Sequence, residues 1–443
     1  MKFDGIPSGW EIKKMPQVVK WGSGGTPKAT ERRFYEGGTI PWLVIGDLNN
    51  GIITSSASKI TKLGLHNSTA KMIPVGTLLV AMYGSIGKLG ITGIECCTNQ
   101  AIAYAKELHG VTSKYMFYFM TLIKSDLISN GKGGTQKNIS QTVLNSLDVV
   151  VPPLKEQERI VSKIEELFSE LDAGIETLKK IKEQLAVYRQ TVLKEAFEGR
   201  LTQKWRDDHP DNAIAAYLEE IHREKVIAGN TKKYQEDEQI SLAELPPNWS
   251  WIHIGDITSG PEYGTSQKSL KEGTVPVLRM GNLQRGEIDW SDLAFTDDPD
   301  EIKKYYLRPN AVLFNRTNSA EHVGKTAIFR GQREAIFAGY LIRINQFDCI
   351  NPEYLNYYMN SFTAKSYGKK VKTDGVNQSN INGKKLCSYP FPVCTKEEQA
   401  QVVFELESRL SVCDSIEQTV DAALKQAETM RQSILKDAFE GRL

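Results

Sequence analysis

The sequence predicts an α+β fold with a pseudo-twofold internal repeat: two similar mixed α/β domains and two long helices pairing as an antiparallel coiled coil. Two observations carry this. The stretch from Pro153 to Leu201 returns from Thr395 to Leu443 at one constant offset, so that Gln157 answers Gln399, Asp172 answers Asp414, Leu193 answers Leu435, and AFEGRL at 196–201 recurs unchanged at 438–443. The segments preceding each copy also share an order of motifs. A period this long is too great for a solenoid and marks a duplicated half-protein.

Residues 1–152 form the first predicted globular domain. GTIPWLVIGDL and GTLLVAMYG have strand character and SKYMFYFMTLIKS has helical aromatic spacing. Residues 153–201 form the first long helix. Ile160, Ile164, Leu167, Leu171, Gly174, Leu178, Ile181, Leu185, Tyr188 and Val192 recur at alternating steps of four and three, a heptad seam. Pro152 and Pro153 block helix upstream, and Gly199 supplies a left-handed stop. Residues 202–245 hold a short amphipathic stretch, HPDNAIAAYLEEIHREKVIAG, stopped by Gly229 and followed by the polar run TKKYQEDEQ, and are expected to be a spacer. A chain leaving the far end of the first helix then enters the second domain with little room to travel back, which favours antiparallel helices.

Residues 246–394 repeat the first domain. Pro247-Asn248-Trp249 answers the PSGW at 7–10, TVPVLRMGNLQRG answers TIPWLVIGDLNNG, and PEYLNYYM answers SKYMFYFM, with offsets that drift because loop lengths differ. Diverged loops on one framework suit different ligands. Residues 395–443 form the second helix, where Thr395 and Glu398 have capping-box spacing. Its seam is Val402, Leu406, Arg409, Cys413, Ile416, Val420, Ala423, Ala427, Met430 and Ile434. Two in-phase copies in one chain favour internal pairing over generic oligomerisation.

The net charge of +1 hides a segregation. Residues 1–150 carry 16 Lys+Arg against 9 Asp+Glu, and residues 246–394 carry 18 against 15, leaving the helices and linker acidic. Two basic domains suggest two places for a polyanion. No apolar run approaches a membrane span, and MKFDGIPSGW lacks the apolar core of a signal peptide, so a soluble, cytoplasmic protein without membrane contact is expected. Six scattered cysteines without CxxC spacing read as reduced thiols, and six histidines offer no zinc pattern.

Three near misses to catalytic motifs point away from an enzyme. Asn351-Pro352-Glu353-Tyr354 resembles an adenine-methylating Asn-Pro-Pro-aromatic motif but has Glu third and no glycine-rich donor loop before it; Pro352 is read as starting a helix that ends near Phe362. The segment from Ser319 to Thr326 lacks the first glycine of a phosphate loop, and Asp300 adjoins Glu301-Ile302-Lys303 too closely for a shared nuclease metal. A stand-alone methyltransferase and a protein-only coiled-coil scaffold remain the rival readings.

PPLKEQERIV, AFEGRLTQKWR, KEEQAQVV and the second AFEGRL, with the loops SGGTPKAT, GGTQKNI and GVNQSNI, resemble the specificity subunit of a type I DNA restriction-modification system. The resemblance spans essentially the whole chain. It implies two target-recognition domains reading halves of a bipartite double-stranded DNA sequence. It also implies two modification (methyltransferase) subunits bound to the helices and adjoining surfaces, with restriction (translocase-nuclease) subunits joining them. The chain would hold no cofactor, S-adenosylmethionine, ATP and Mg being expected on those partners, and since the sequence stops at Leu443, the last residue of the second EGRL, without the basic tail of some members, a tail-dependent contact is not expected.

Base readout requires paired donors and acceptors: Arg or Lys for guanine, Asn or Gln for adenine. The loops offer Thr26, Lys28, Ser85, Lys88, Gln136, Lys137 and Asn138 in the first domain. The second offers Gln267, Lys268, Arg316, Asn318, Lys325, Asn377, Gln378 and Asn380. Any one of these amides can instead serve as a turn or cap.

Overall fold

The computed structural model describes residues 5–83, 87–129, 138–232, 234, 242–376 and 378–443. Two continuous helices, Leu154–Phe197 and Lys396–Phe439, each run 44 residues. At about 1.5 Å per residue each is roughly 66 Å long. The second is capped as expected, Thr395 Oγ1 accepting from the Glu398 amide at 3.4 Å. Both end in the same left-handed turn. Gly199 and Gly441 have φ 73°, and the amides of Arg200 and Arg442 donate back to the carbonyls of Glu195 and Asp437 at 2.9 and 2.8 Å.

The chain forms two compact units, one comprising Met1–Lys179 with Val420–Leu443, the other Lys180–Thr419. Each therefore contains the start of one long helix and the end of the other. Within unit 1, Arg159 donates to the Leu443 carbonyl and Asp172 pairs with Arg431. Within unit 2, Arg189 bridges Asp414 at 2.7 Å and Glu417 at 3.0 Å, while Arg206, just beyond the first helix, reaches Glu398. Numbers rise along one helix as they fall along the other, so the helix segments are antiparallel in each unit.

The sheets repeat. Unit 1 has a five-stranded sheet in the order Val19–Ser23, Ile102–Leu108, Leu78–Ala81, Leu89–Thr92, Gly51–Ile53, antiparallel except at its last pair. Beside it Ile40–Leu43 pairs antiparallel with Lys59–Ile60 and parallel with Cys97–Thr98. Unit 2 has the order Thr258–Tyr263, Leu341–Gln346, Ala311–Asn315, Thr326–Phe329, and Val275–Leu278 lies antiparallel to Ala294–Thr296 and parallel to Ile336–Phe337. In each, one inner strand, Leu78–Ala81 or Ala311–Asn315, is apolar but for the terminal Asn315 and is buried on both faces apart from the half-buried Ala311.

The cores also match. Phe439, from the end of the second helix, packs on Tyr115 and Phe119 of the helix Ser113–Leu122 in unit 1. Phe197 packs likewise on Tyr354 and Tyr358 of Pro352–Met359 in unit 2. Gln157 and Gln399 are fully buried. Their side chains accept from the amides of Thr112 and Asn351 at 3.0 Å and donate back to carbonyls of the preceding loops. This is why the glutamine sits at the same offset in both copies.

Three expectations change. The stretch 202–245 is not a bare spacer: Tyr217 and Ile221 of the helix Ile214–Ile227 are buried in the unit 2 core, with the Tyr217 hydroxyl donating to the Cys349 carbonyl at 2.6 Å. One turn apart, these two apolar residues make a stripe that the core covers. The helix begun by Pro352 stops at Met359, and Ser361 caps a separate helix, Phe362–Val371. The seam also behaves unevenly. Ile160, Ile164, Val192, Val402, Leu406 and Val420 are buried, Leu167, Leu171, Leu178, Leu185 and Ile434 are half-buried, but Tyr188, Ile416 and Met430 are 43%, 41% and 44% exposed. Where only two helices meet, each side chain is covered from one side, and a 3.5-residue stripe drifts around a 3.6-residue helix.

Candidate nucleic-acid interface

In unit 2 the sheet edges gather candidates that are far apart in sequence. A cleft of about 470 Å³ is lined by Gln267, Lys268, Arg279, Arg316, Thr317 and Tyr340 with neighbouring small residues, and no carboxylate is among its lining side chains. Gln267 and Lys268 are exposed on the turn after Thr258–Tyr263, where Thr265 Oγ1 accepts from the Gln267 amide. That turn runs tightly against Phe337 and Ala338, since a Cβ on Gly264 would collide with their carbonyl oxygens. Arg316 stands at the end of Ala311–Asn315. Its guanidinium lies 5.0 Å from the Tyr263 ring centroid, and Nη1 donates to the Gly339 carbonyl at 3.3 Å. Asn318 and Asn380 lie on a small sheet made by Thr317–Asn318, Ser379–Asn380 and Thr373–Asp374, with Asn380 Nδ2 donating to Thr317 Oγ1 at 2.7 Å. Gln378 is exposed at that sheet's turn, its carbonyl accepting from the Gly375 amide.

Lys325 is not among the cleft residues. Its Nζ donates to Gln284 Oε1 at 3.0 Å, and it neighbours Lys365, whose ammonium is held below its ordinary range by burial and by Lys325 and Lys369. Arg279 and Tyr340 were not singled out from sequence. Arg279 hides at the end of the VPVL strand, and its one signal is its place in the repeated TVPVLRMGNL segment.

In unit 1 the corresponding turn holds Thr26 and Lys28, both exposed. Gly24 is as tightly backed, by Thr98 and Asn99. Thr26 donates to Gln100, Trp42 Nε1 to the Gly25 carbonyl at 3.0 Å and Tyr35 to the Pro27 carbonyl, so the turn is pinned from three sides. Lys88 is half-buried, its carbonyl accepting from the Ala81 amide, and Asn138 is exposed and bridged to Tyr83. Ser85, Gln136, Lys137 and Asn377 lie outside the described residues.

The near-miss motifs have other occupations. Asn351 caps its helix, Oδ1 accepting from the amides of Glu353 and Tyr354 at 2.9 and 3.2 Å. Glu301 and Lys303 share one helix, Pro299–Tyr305, with Asp300, and Ser319 to Lys325 form a turn between short strands. Among the described residues no group of His, Cys, Asp and Glu is placed to hold a metal, and no helix is long and apolar enough to cross a membrane.

A duplicated α/β scaffold that presents basic, amide-bearing turns at strand edges and carries paired long helices defines a two-part recognition protein. The chain belongs to the type I restriction modification DNA specificity domain family, whose model matches residues 7–186 and again 246–426, and the family's role is recognition of the DNA target by the specificity subunit. It is 24% identical to the type I restriction enzyme EcoKI specificity subunit of Escherichia coli K12, over 99% of this chain and 90% of that one. It is 25% identical to the EcoBI specificity subunit of Escherichia coli, over 83% and 73%. The fold resembles a chain from a structure describing complex assembly and conformational transition of the type I R-M system, with a TM-score of 0.74 at 17% identity over 99% of each chain. It also resembles the HsdS subunit of Thermoanaerobacter tengcongensis, with a TM-score of 0.55 at 18% identity over 99% and 98%.

Proposed function

We propose that each unit reads one half of a bipartite double-stranded DNA target through its strand-edge turns, and that the chain itself performs no chemistry. The observation that carries this reading is the recurrence of one loop architecture, a glycine pressed against a neighbouring strand, then a lysine, Lys28 or Lys268, and an asparagine bridged across, Asn138 or Asn380, while other places differ, Pro27 answering Gln267 and Met82 answering Arg316. A common backbone with altered donors and acceptors is what two different half-sites demand of one fold. Lys28, Lys88, Lys268 and Lys325 serve phosphates, while Thr26, Gln267, Arg316, Asn318, Gln378 and Asn380 face base edges.

Two modification subunits occupy the long helices and adjoining surfaces, with restriction subunits joining that core. Val187, Tyr188, Phe404 and Val412 are 67%, 43%, 64% and 58% exposed, apolar area that a partner helix would cover. S-adenosylmethionine, ATP and Mg belong to those partners. The test is to assemble the chain with its modification subunits, supply the methyl donor and sequence the methylated sites. A gapped two-part motif is expected, and methylation without sequence preference would end the reading. The isolated chain is expected to transfer no methyl group to DNA.

A further inference from the structure

The hydrogen-bond register around the unit 2 cleft determines which residues of unit 1 occupy the same places. Arg316 donates its amide to the Tyr340 carbonyl and accepts from the Ile381 amide; Met82 donates to Ala101 and accepts from Ile139 in the same pattern. Arg279 follows the strand paired in parallel with Ile336–Phe337 and donates its amide to Asn282 Oδ1 at 2.8 Å. Val44 follows the strand paired in parallel with Cys97–Thr98 and donates to Asp47 Oδ2 at 2.8 Å. Two arginines of unit 2 thus stand where unit 1 has a methionine and a valine, although the turn lysines, Lys268 and Lys28, agree.

Each of the two arginines is held in place by part of its guanidinium, with one nitrogen left without an acceptor. Nε of Arg279 and Nε of Arg316 are each buried with no partner among the described residues. Arg316 is fixed by the Tyr263 ring and the Gly339 carbonyl, and Arg279 donates to Asp292 at 3.1 Å. A cleft lined by Lys268, Arg279 and Arg316 and by no carboxylate suits a ligand surface made of acceptors. Guanine presents one in the major groove through O6 and N7, and phosphate presents another. A half-buried, oriented guanidinium beside the amide of Gln267 suits the base edge, whereas the exposed Lys268 suits phosphate.

Resting on the function proposed above, we propose that Arg316, with Arg279 beside it, selects a guanine in the half-site of unit 2. Unit 1, with Met82 and Val44 in those places, makes no such selection at the matching positions. The test uses the complete complex with its modification subunits, methylating a DNA library randomised over both half-sites, with the methylated molecules sequenced. Arg316→Met, the residue of the other unit, is expected to lower the guanine preference at one base pair of one half-site by ten-fold or more and to leave the other half-site unchanged. Arg316→Lys keeps the charge and most of the stem and guards against a folding artefact; a weakened guanine preference at that same pair is expected. An even loss over all sequences for both variants, or an unaltered preference at every pair, would overturn the assignment in favour of a phosphate contact or no contact. A wild-type complex without any two-part preference would instead overturn the underlying reading.

Discussion

Glu398 and Glu156 occupy the same place in the two copies and have opposite surroundings. Glu398 is fully buried and accepts from Thr202 Oγ1 at 2.8 Å and from Arg206 Nη1 at 2.7 Å, while Glu156 pairs with Arg159 at the surface. Removing one partner of a buried pair leaves an uncompensated charge, so Arg206→Met should cost about 3–5 kcal/mol in urea unfolding, and adding Glu398→Gln should recover much of it. Glu156→Gln should cost under about 1 kcal/mol. Asp256 gives a pH signature. Burial raises its carboxyl pKa, but hydrogen bonds from His253 and Lys225 outweigh burial and bring it down to about 2, from an ordinary value of 3.8. The folded pKa is depressed, so the stabilisation is present above pH 4 and is lost as pH falls from about 4 toward 2. Asp256→Asn should flatten the acid limb of a melting-temperature profile in that window and lower stability at pH 7. At this scale the sequence was least legible. The loops could be located by their glycines, but Arg279 became visible only when strand pairing brought it beside Arg316, because clefts are assembled from segments dozens of residues apart.

The long helices were legible because periodicity and duplication are local signals: both extend to the expected AFEGRL ends. What periodicity could not convey is which seam positions are covered by the globular parts. Ile160 and Ile164 lie in the unit 1 core, whereas Ile416 is exposed and belongs to no buried cluster among the described residues. The same limit applies to Tyr217 and Ile221, whose stripe was visible but whose cover was not. The helix ends are the energetic anchors. Phe439→Ala should cost about 3–5 kcal/mol and Phe197→Ala a similar amount. Hydrogen exchange should localise the first loss to the aromatic helix Ser113–Leu122 and the second to Pro352–Met359. Equal loosening of both helices by either variant would contradict the packing.

At the scale of the whole molecule, the duplication predicts that specificity is separable. Each unit has its own sheets, core and strand-edge turns, so replacing residues 1–152 by the matching stretch of a relative should change one half of the methylated motif and preserve the other. A chimera that altered both halves would show that readout is shared. The intact mass of the assembled methyltransferase should correspond to two modification subunits for one chain.

The division of the chain has a consequence for how it is made on the ribosome. Unit 2, Lys180–Thr419, is an uninterrupted stretch, whereas unit 1 needs Val420–Leu443 to finish its core. The part that emerges first is therefore completed last. At roughly 5–20 residues per second, the intervening 240 residues hold the nascent chain for roughly 10–50 s with the Phe439 seat on Tyr115 and Phe119 uncovered. Chains stalled after Thr419 should yield to brief proteolysis within residues 1–150 while the following unit resists. A product terminated before Val420 would then keep at most one complete unit, the second.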